Sequence, residues 1–162
     1  MIKDSMKIGV VSDTHGVYRP KIARALDGVE RILHLGDIGN QSVLDELGKI
    51  APVTAIRGNN DRLGPASLLP ETDVVLIADR YGYMLHDLGT IHLDPAAGKF
   101  AAVLFGHTHV PNFYHRKSVL YFNPGSCGPR RFDLPITVGI LKVDADGEFK
   151  AKIIDLSRNS GK

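Results

Sequence analysis

The sequence predicts an α/β protein: a four-layer α/β/β/α sandwich of two mixed β-sheets flanked by helices, as a single domain over 1–162 with its core at about 7–156. Three observations predict it. Short β-branched runs alternate with helical apolar stripes early in the chain. Hairpin-like pairs of strands fill the later part, so strands outnumber helices and need two sheets to bury them. Successive runs also stop abruptly in polar, Gly-containing turns, as strands do at the carboxyl edge of a parallel or mixed sheet.

In order, Lys7 to Ser12 is a strand that ends in Asp13-Thr14-His15-Gly16, and a helix starts near Pro20 with Ile22, Ala25 and Leu26 on one stripe. Val29 to Leu35 is the second strand, closed by Gly36-Asp37. A second helix, Gln41 to Lys49, carries Val43, Leu44 and Leu47 on one face, and the third strand, Val53 to Arg57, runs into Gly58-Asn59-Asn60-Asp61. Leu63 to Glu71 holds Pro65 and Pro70 and reads as loop. Val74 to Ala78 and Tyr81 to Leu85 are strands around a tight turn at Asp79-Arg80, and Leu88 to Lys99 leaves room for a short helix at most. Phe100 to Phe105 is an apolar run of the kind that forms a central strand. Hairpins follow: Phe113 to His115 with Val119 to Phe122, then Ile136 to Asp144 with Glu148 to Leu156 around Ala145-Asp146-Gly147. The tail Ser157 to Lys162 is polar and expected to fray.

The bulk numbers exclude several classes. A net charge of +2, with no basic cluster longer than Arg116-Lys117 or Arg130-Arg131, gives no electrostatic footprint for nucleic acid. The single Cys127 excludes an internal disulfide framework and suits a reducing compartment; it reads as an ordinary small buried residue. The first apolar run, Ile8 to Val11, is too short for a signal peptide or a membrane span, so a cytoplasmic location is the default expectation.

Seven residues stand at the ends of predicted strands: Asp13, His15, Asp37, Asn59, His86, His107 and His109. Four imidazoles, two carboxylates and one amide carbonyl suit Mn²⁺, Fe, Ni²⁺, Co²⁺ or Zn²⁺, and poorly suit Ca²⁺ or thiolate-seeking metals. Seven ligands exceed one tetrahedral zinc and match two metals with a shared bridge. Two metals ~3.5–4 Å apart can clamp a phosphoryl group and generate hydroxide near neutral pH, so a binuclear hydrolase is the economical reading.

Ser12-Asp13-Thr14-His15-Gly16, Gly36-Asp37, Gly58-Asn59-Asn60-Asp61, His86, Gly106-His107-Thr108-His109 and Asn123-Pro124-Gly125-Ser126 resemble, in order and spacing, the motifs of the calcineurin-like metallophosphoesterases. The chain is similar in particular to their small YfcE-like phosphodiesterase branch, from about Lys7 to Leu156. The resemblance implies the metallophosphoesterase sandwich and two divalent metal ions, Mn²⁺ first, with Ni²⁺, Co²⁺, Fe²⁺ or Zn²⁺ as alternatives. It places Asp13, His15 and His109 on one metal and Asn59, His86 and His107 on the other, with Asp37 bridging. It also implies hydrolysis of a small phosphoester, more often a diester, by in-line attack of a hydroxide bridging the metals. Asp37, His109 and Asn60 are the residues it places in the catalytic step.

The chain departs from the family twice. Asn60 stands where the family often has a His that protonates the leaving oxygen, and a carboxamide cannot donate a proton at neutral pH. Asp61, the usual partner of that His, is left to orient Asn60 or fix the loop. Asp87 and Leu88 stand where a Gly and then a further His are common. These departures keep a rival open, a catalytically weak or inactive scaffold similar to the retromer subunit Vps29. A binuclear hydrolase of C–N or C–O bonds needs a longer, barrel-forming chain. Of the remaining candidates, His34 reads as a core or supporting histidine, His92 as a loop residue near the site, His115 as a solvated turn and Arg130 and Arg131 as a surface pair. Asn123-Pro124-Gly125-Ser126 reads equally as a tight turn or as a wall of the metal pocket. No membrane partner is expected, nucleic acid is not indicated, and a homo-oligomer is left open.

Overall fold

The first β-branched run forms strand β1, Met6–Val11, whose alternate residues bury on opposite sides: Ile8 and Val10 in one core cluster, Val11 in another. The computed structural model describes residues 5–157, so the expected fraying of the tail lies, beyond Ser157, outside the described residues. After β1 come α1 (Lys21–Ala25), β2 (Arg31–His34), α2 (Gln41–Gly48) and β3 (Val53–Ala55). Then β4 (Thr72–Ile77), β5 (Arg80–Leu85) and β6 (Ala102–Leu104) are followed by β7 (Asn112–Arg116), β8 (Val119–Asn123), β9 (Thr137–Val143) and β10 (Phe149–Asp155).

The strands form two five-stranded mixed sheets, in the order β10-β9-β1-β2-β3 and β4-β5-β6-β8-β7. In the first, β1, β2 and β3 are parallel and the β9–β10 hairpin pairs antiparallel to β1. In the second, β5, β6 and β8 are parallel, with β4 and β7 antiparallel at the edges. Ile8, Val10, Leu33 and Leu35 of the first sheet meet Met84, Leu104, Leu120 and Phe122 of the second between the layers. The outer face of the first sheet packs Val11, Ile32 and Ile140 against Ile22 and Leu26 around α1 and Val43 and Leu47 of α2. On the outer face of the second sheet, Leu85, Val103 and Tyr121 are covered by Leu88, Ile91 and Ala96. That fourth layer is irregular chain with one 3₁₀ turn, Leu88–Thr90, which fits a segment interrupted by Gly89, Pro95 and Gly98.

Several elements differ from expectation in length. The β4–β5 loop is Ala78-Asp79, one residue earlier than expected, because Ile77 pairs with Arg80 and Ala78 takes the left-handed φ of 58° that a two-residue hairpin demands. The central run is a strand only over Ala102–Leu104, although single bonds from Ala101 N–H to the Tyr81 carbonyl and from Phe105 N–H to the Phe122 carbonyl extend its pairing. The loop expected before β4 contains a 3₁₀ turn, Pro65–Leu68, opened by its proline. Among the described residues, no helix is long and apolar enough to cross a membrane.

Candidate metal centre

Parallel pairing turns the carboxyl ends of β1, β2 and β3 in one sheet, and of β5 and β6 in the other, toward a shared edge of the sandwich. Asp13 follows β1, Asp37 follows β2, Asn59 follows β3, His86 follows β5, and His107 and His109 follow β6. Asp13 Oδ1 is the hub: His109 Nε2 lies 3.4 Å from it, His86 Nε2 3.7 Å and His15 Nε2 3.8 Å. Asp37 Oδ2 lies 3.3 Å from His86 Nε2 and 3.7 Å from His15 Nε2. His107 Nδ1 and Asn59 Oδ1, 3.2 Å apart, form the open rim, with the His107 ring centroid 5.2 Å from that of His86. All seven expected ligands therefore meet at one place.

The chain strains its backbone to aim them. Asp13 (φ 58°), His15 (44°), Asp37 (56°), His107 (72°) and His109 (63°) all adopt the left-handed region. Such non-glycine residues cost of order 1–3 kcal/mol each and gather at functional sites.

Hydrogen bonds lock the unused sides of the ligands. Asp13 Oδ2 accepts from Ser12 Oγ at 2.6 Å and from the His107 backbone N–H at 3.1 Å, which leaves Oδ1 for the centre. His86 Nδ1 donates to the Leu35 carbonyl at 2.7 Å, since a carbonyl only accepts, and this presents Nε2 inward. Asp37 is gripped by Asn60, whose backbone N–H donates to Oδ1 at 2.9 Å and whose Nδ2 donates to Oδ2 at 3.0 Å. Asp61 fixes the loop and does not orient Asn60: its carboxylate accepts from the Ile38, Gly39 and Gly58 backbone N–H groups.

One buried chain of hydrogen bonds decides between the core and supporting readings of His34. His34 Nδ1 accepts from Gly36 N–H at 3.1 Å, so its Nε2–H donates to Thr14 Oγ1 at 3.0 Å, and Thr14 donates on to the Ile38 carbonyl at 2.7 Å. His34 is thus a buried support for the Asp13–His15 turn. Ser126 Oγ donates to the Asp13 carbonyl at 2.9 Å, and Asn123 Nδ2 donates to the Gly106 carbonyl and to Thr108 Oγ1, so the Asn123–Ser126 turn braces the turns that carry Asp13, His107 and His109. These partners lie far apart in sequence, and only the paired strand ends bring them together.

The electrostatics match a cation site. Burial acts to raise the Asp13 pKa, but contacts with His109, His86 and the Ser12 hydroxyl outweigh it and hold the carboxyl below its ordinary range. Burial likewise opposes ionisation of Asp37, and His86, the Asn60 N–H and His15 overcome it. Burial lowers the His15 pKa against the pull of Asp37 and Asp13, whereas for His86 the two carboxylates outweigh burial and raise it. Asp13 Oδ1, His15 Nε2, His86 Nε2 and His109 Nδ1 are buried with no hydrogen-bond partner. Unpartnered buried polar atoms are costly, and two subsets, Asp13/His15/His109 and Asp13/Asp37/His86, bring their donor atoms within 4.8 Å of one another. These residues fit divalent metal, and the mixed N and O donors fit the transition metals expected from the sequence.

A cleft of about 280 Å³ opens beside the rim, with Arg57, Asn59 and Glu71 on one side and Tyr83, His86, Asp87 and His92 on the other. His92 is exposed on its wall. Cys127 is fully buried and burial pushes its thiol up to about 12, which fits an inert core residue.

The family model of the calcineurin-like phosphoesterase superfamily domain matches residues 6–146. A probable metallophosphoesterase of Methanocaldococcus jannaschii is 32% identical over 161 residues, covering 94% of this chain and 82% of that protein. The phosphodiesterase YfcE of Escherichia coli is 30% identical over 166 residues, covering 86% of this chain and 89% of that protein. The solved structure of Vacuolar Protein Sorting 29 from Cryptosporidium parvum superposes with a TM-score of 0.74 over 96% of this chain and all of its own, at 18% identity, a likeness of fold alone. A family model spanning most of the chain and full-length relatives of this identity make the protein a member of the calcineurin-like phosphoesterase superfamily.

Proposed function

We propose that the protein is a metal-dependent phosphodiesterase acting on a small phosphoester, with Asp13, His15 and His109 holding one divalent cation, Asn59, His86 and His107 a second, and Asp37 shared between them. The observation that carries this reading is the set of buried, unpartnered ligand atoms converging on Asp13 and Asp37 from both sheets. When bound, the cations supply Lewis acidity toward a phosphoryl oxygen and toward water. Mn²⁺ is the cation we propose first, on the resemblance to the YfcE-like branch; the donor set also admits Fe²⁺, Co²⁺, Ni²⁺ and Zn²⁺.

The chain's own part is positioning. Asn60 holds both oxygens of Asp37, so the shared carboxylate has one orientation. By the family resemblance that carboxamide stands where a leaving-group acid is common, and an amide is no acid at neutral pH. The expected outcome is faster turnover of nitrophenyl esters, whose leaving groups depart as anions, than of alkyl esters; equal rates would count against it. The deciding experiment is hydrolysis of bis(p-nitrophenyl) phosphate by chelator-stripped protein refilled with Mn²⁺, with Asp37→Asn as control. Metal-dependent activity that disappears in the variant supports the reading. No turnover with any divalent cation by folded protein overturns it in favour of the scaffold.

A further inference from the structure

Between His86 and the 3₁₀ turn Leu88–Thr90 stands Asp87, to which nothing above gives a role in the site. Its Oδ1 accepts from Gly89 N–H at 2.9 Å, which caps the turn and fixes the carboxylate. The other oxygen, Oδ2, faces His107 Nε2 at 3.8 Å. On the far side of that ring, Nδ1 donates to Asn59 Oδ1 at 3.2 Å, since an amide oxygen only accepts, and this contact keeps the proton on Nδ1. Among the described residues, the His107 side chain meets no other hydrogen-bonding or charged partner. Its two nitrogens are therefore divided, one toward Asn59 and the site, the other toward a carboxylate.

A neutral imidazole carries one N–H and one lone pair, so a cation that took Nδ1 from the Asn59 contact would move the proton to Nε2, where an anionic acceptor favours it. We propose that Asp87 is a positioning residue for His107: when a cation displaces the Asn59 contact, its carboxylate receives the proton on Nε2 and leaves the Nδ1 lone pair for the cation shared with Asn59 and His86. This rests on the two-cation reading above. The 3.8 Å separation is longer than a hydrogen bond, but the His107 side chain, 41% exposed at the rim, has room to turn toward the capped carboxylate. A cation on Nδ1 makes the Nε2–H a stronger donor and draws the two together. A carboxylate behind a metal-bound imidazole also raises the ligand's basicity.

Asp87→Asn separates this role from turn capping, because Asn also caps well but carries no charge. Full-length, chelator-stripped protein is titrated with Mn²⁺ against a chelating indicator, and the His107 tautomer is read from ¹H–¹⁵N imidazole spectra of Zn²⁺-loaded protein. In the wild type we expect two equivalents and a single Nε2–H tautomer. In Asp87→Asn we expect an unchanged first equivalent, a second weakened roughly 10- to 100-fold, and a mixed tautomer. A second equivalent as tight in Asp87→Asn and in Asp87→Gly as in the wild type overturns the proposal. So does its outright loss with the His107 tautomer intact, which would make Asp87 itself a ligand. Wild-type protein that binds fewer than two equivalents defeats the two-cation reading instead, and that result is read without any variant.

Discussion

At the residue scale, the candidate ligands rest on buried supports, with His34 and Thr14 behind the Asp13–His15 turn and Ser126 on the Asp13 carbonyl. Asp13, His15, Asp37 and the His107-Thr108-His109 pair announce themselves by chemistry and by position after apolar runs. For His34 and the Asn123–Ser126 turn the sequence leaves two readings open, and for Thr14 it offers none, because a histidine inside a strand looks the same whether it supports a neighbour or fills space. Their roles depend on contacts such as Thr14 to His34 and Ser126 to Asp13, twenty and more than a hundred residues apart. His34 yields a test by pH. Burial depresses its pKa from 6.5 to about 4, so the folded protein keeps it neutral while the unfolded chain protonates it. Its contribution is complete above pH 6.5 and is lost as pH falls toward 4. Denaturant titrations of metal-free protein across that window should show a fall of about 3 kcal/mol from this group. His34→Leu should flatten that slope, and it should cost about 1–3 kcal/mol at pH 7 by orphaning Thr14 and Gly36.

At the scale of elements, strand order was only partly readable, whereas strand ends were plain. β1, β2 and β3 each close in a polar turn that the sequence displays, but nothing local says that β8 lies beside β6 or that β9 returns to β1. The ends of the central run were overestimated because apolar residues continue past the last ladder pair. What joins the elements at the site is close backbone approach. A Cβ on Gly58 would stand 2.2 Å from Asp37 Oδ1 and 2.4 Å from Asp37 N, so the turn after β3 presses directly on the turn after β2. Gly58→Ala must displace the Asp37 carboxylate. We expect it to keep its far-UV circular dichroism yet lose Mn²⁺ affinity and phosphodiester turnover, and normal metal uptake would contradict this account of the contact.

At the scale of the whole molecule, the two-sheet plan followed from the abundance of strands over helices, and the thin fourth layer from the glycines and proline of Leu88 to Lys99. Phe122 lies at the middle of the inter-sheet core and is fully buried. Phe122→Ala should cost about 3–5 kcal/mol in denaturant unfolding without altering the metal ligands. The placement of the centre has a mechanical consequence as well. Asp13, His15, Asp37 and Asn59 belong to one sheet, and His86, His107 and His109 to the other. Cations held among them are rivets through the seam of the sandwich. At free cation a hundredfold above its dissociation constant, each such rivet adds about 2.7 kcal/mol against opening. Amide exchange in β2 and β6, strands of opposite layers, should slow together on loading and quicken together on chelation. The two layers would then separate along a fault line that runs through the catalytic edge.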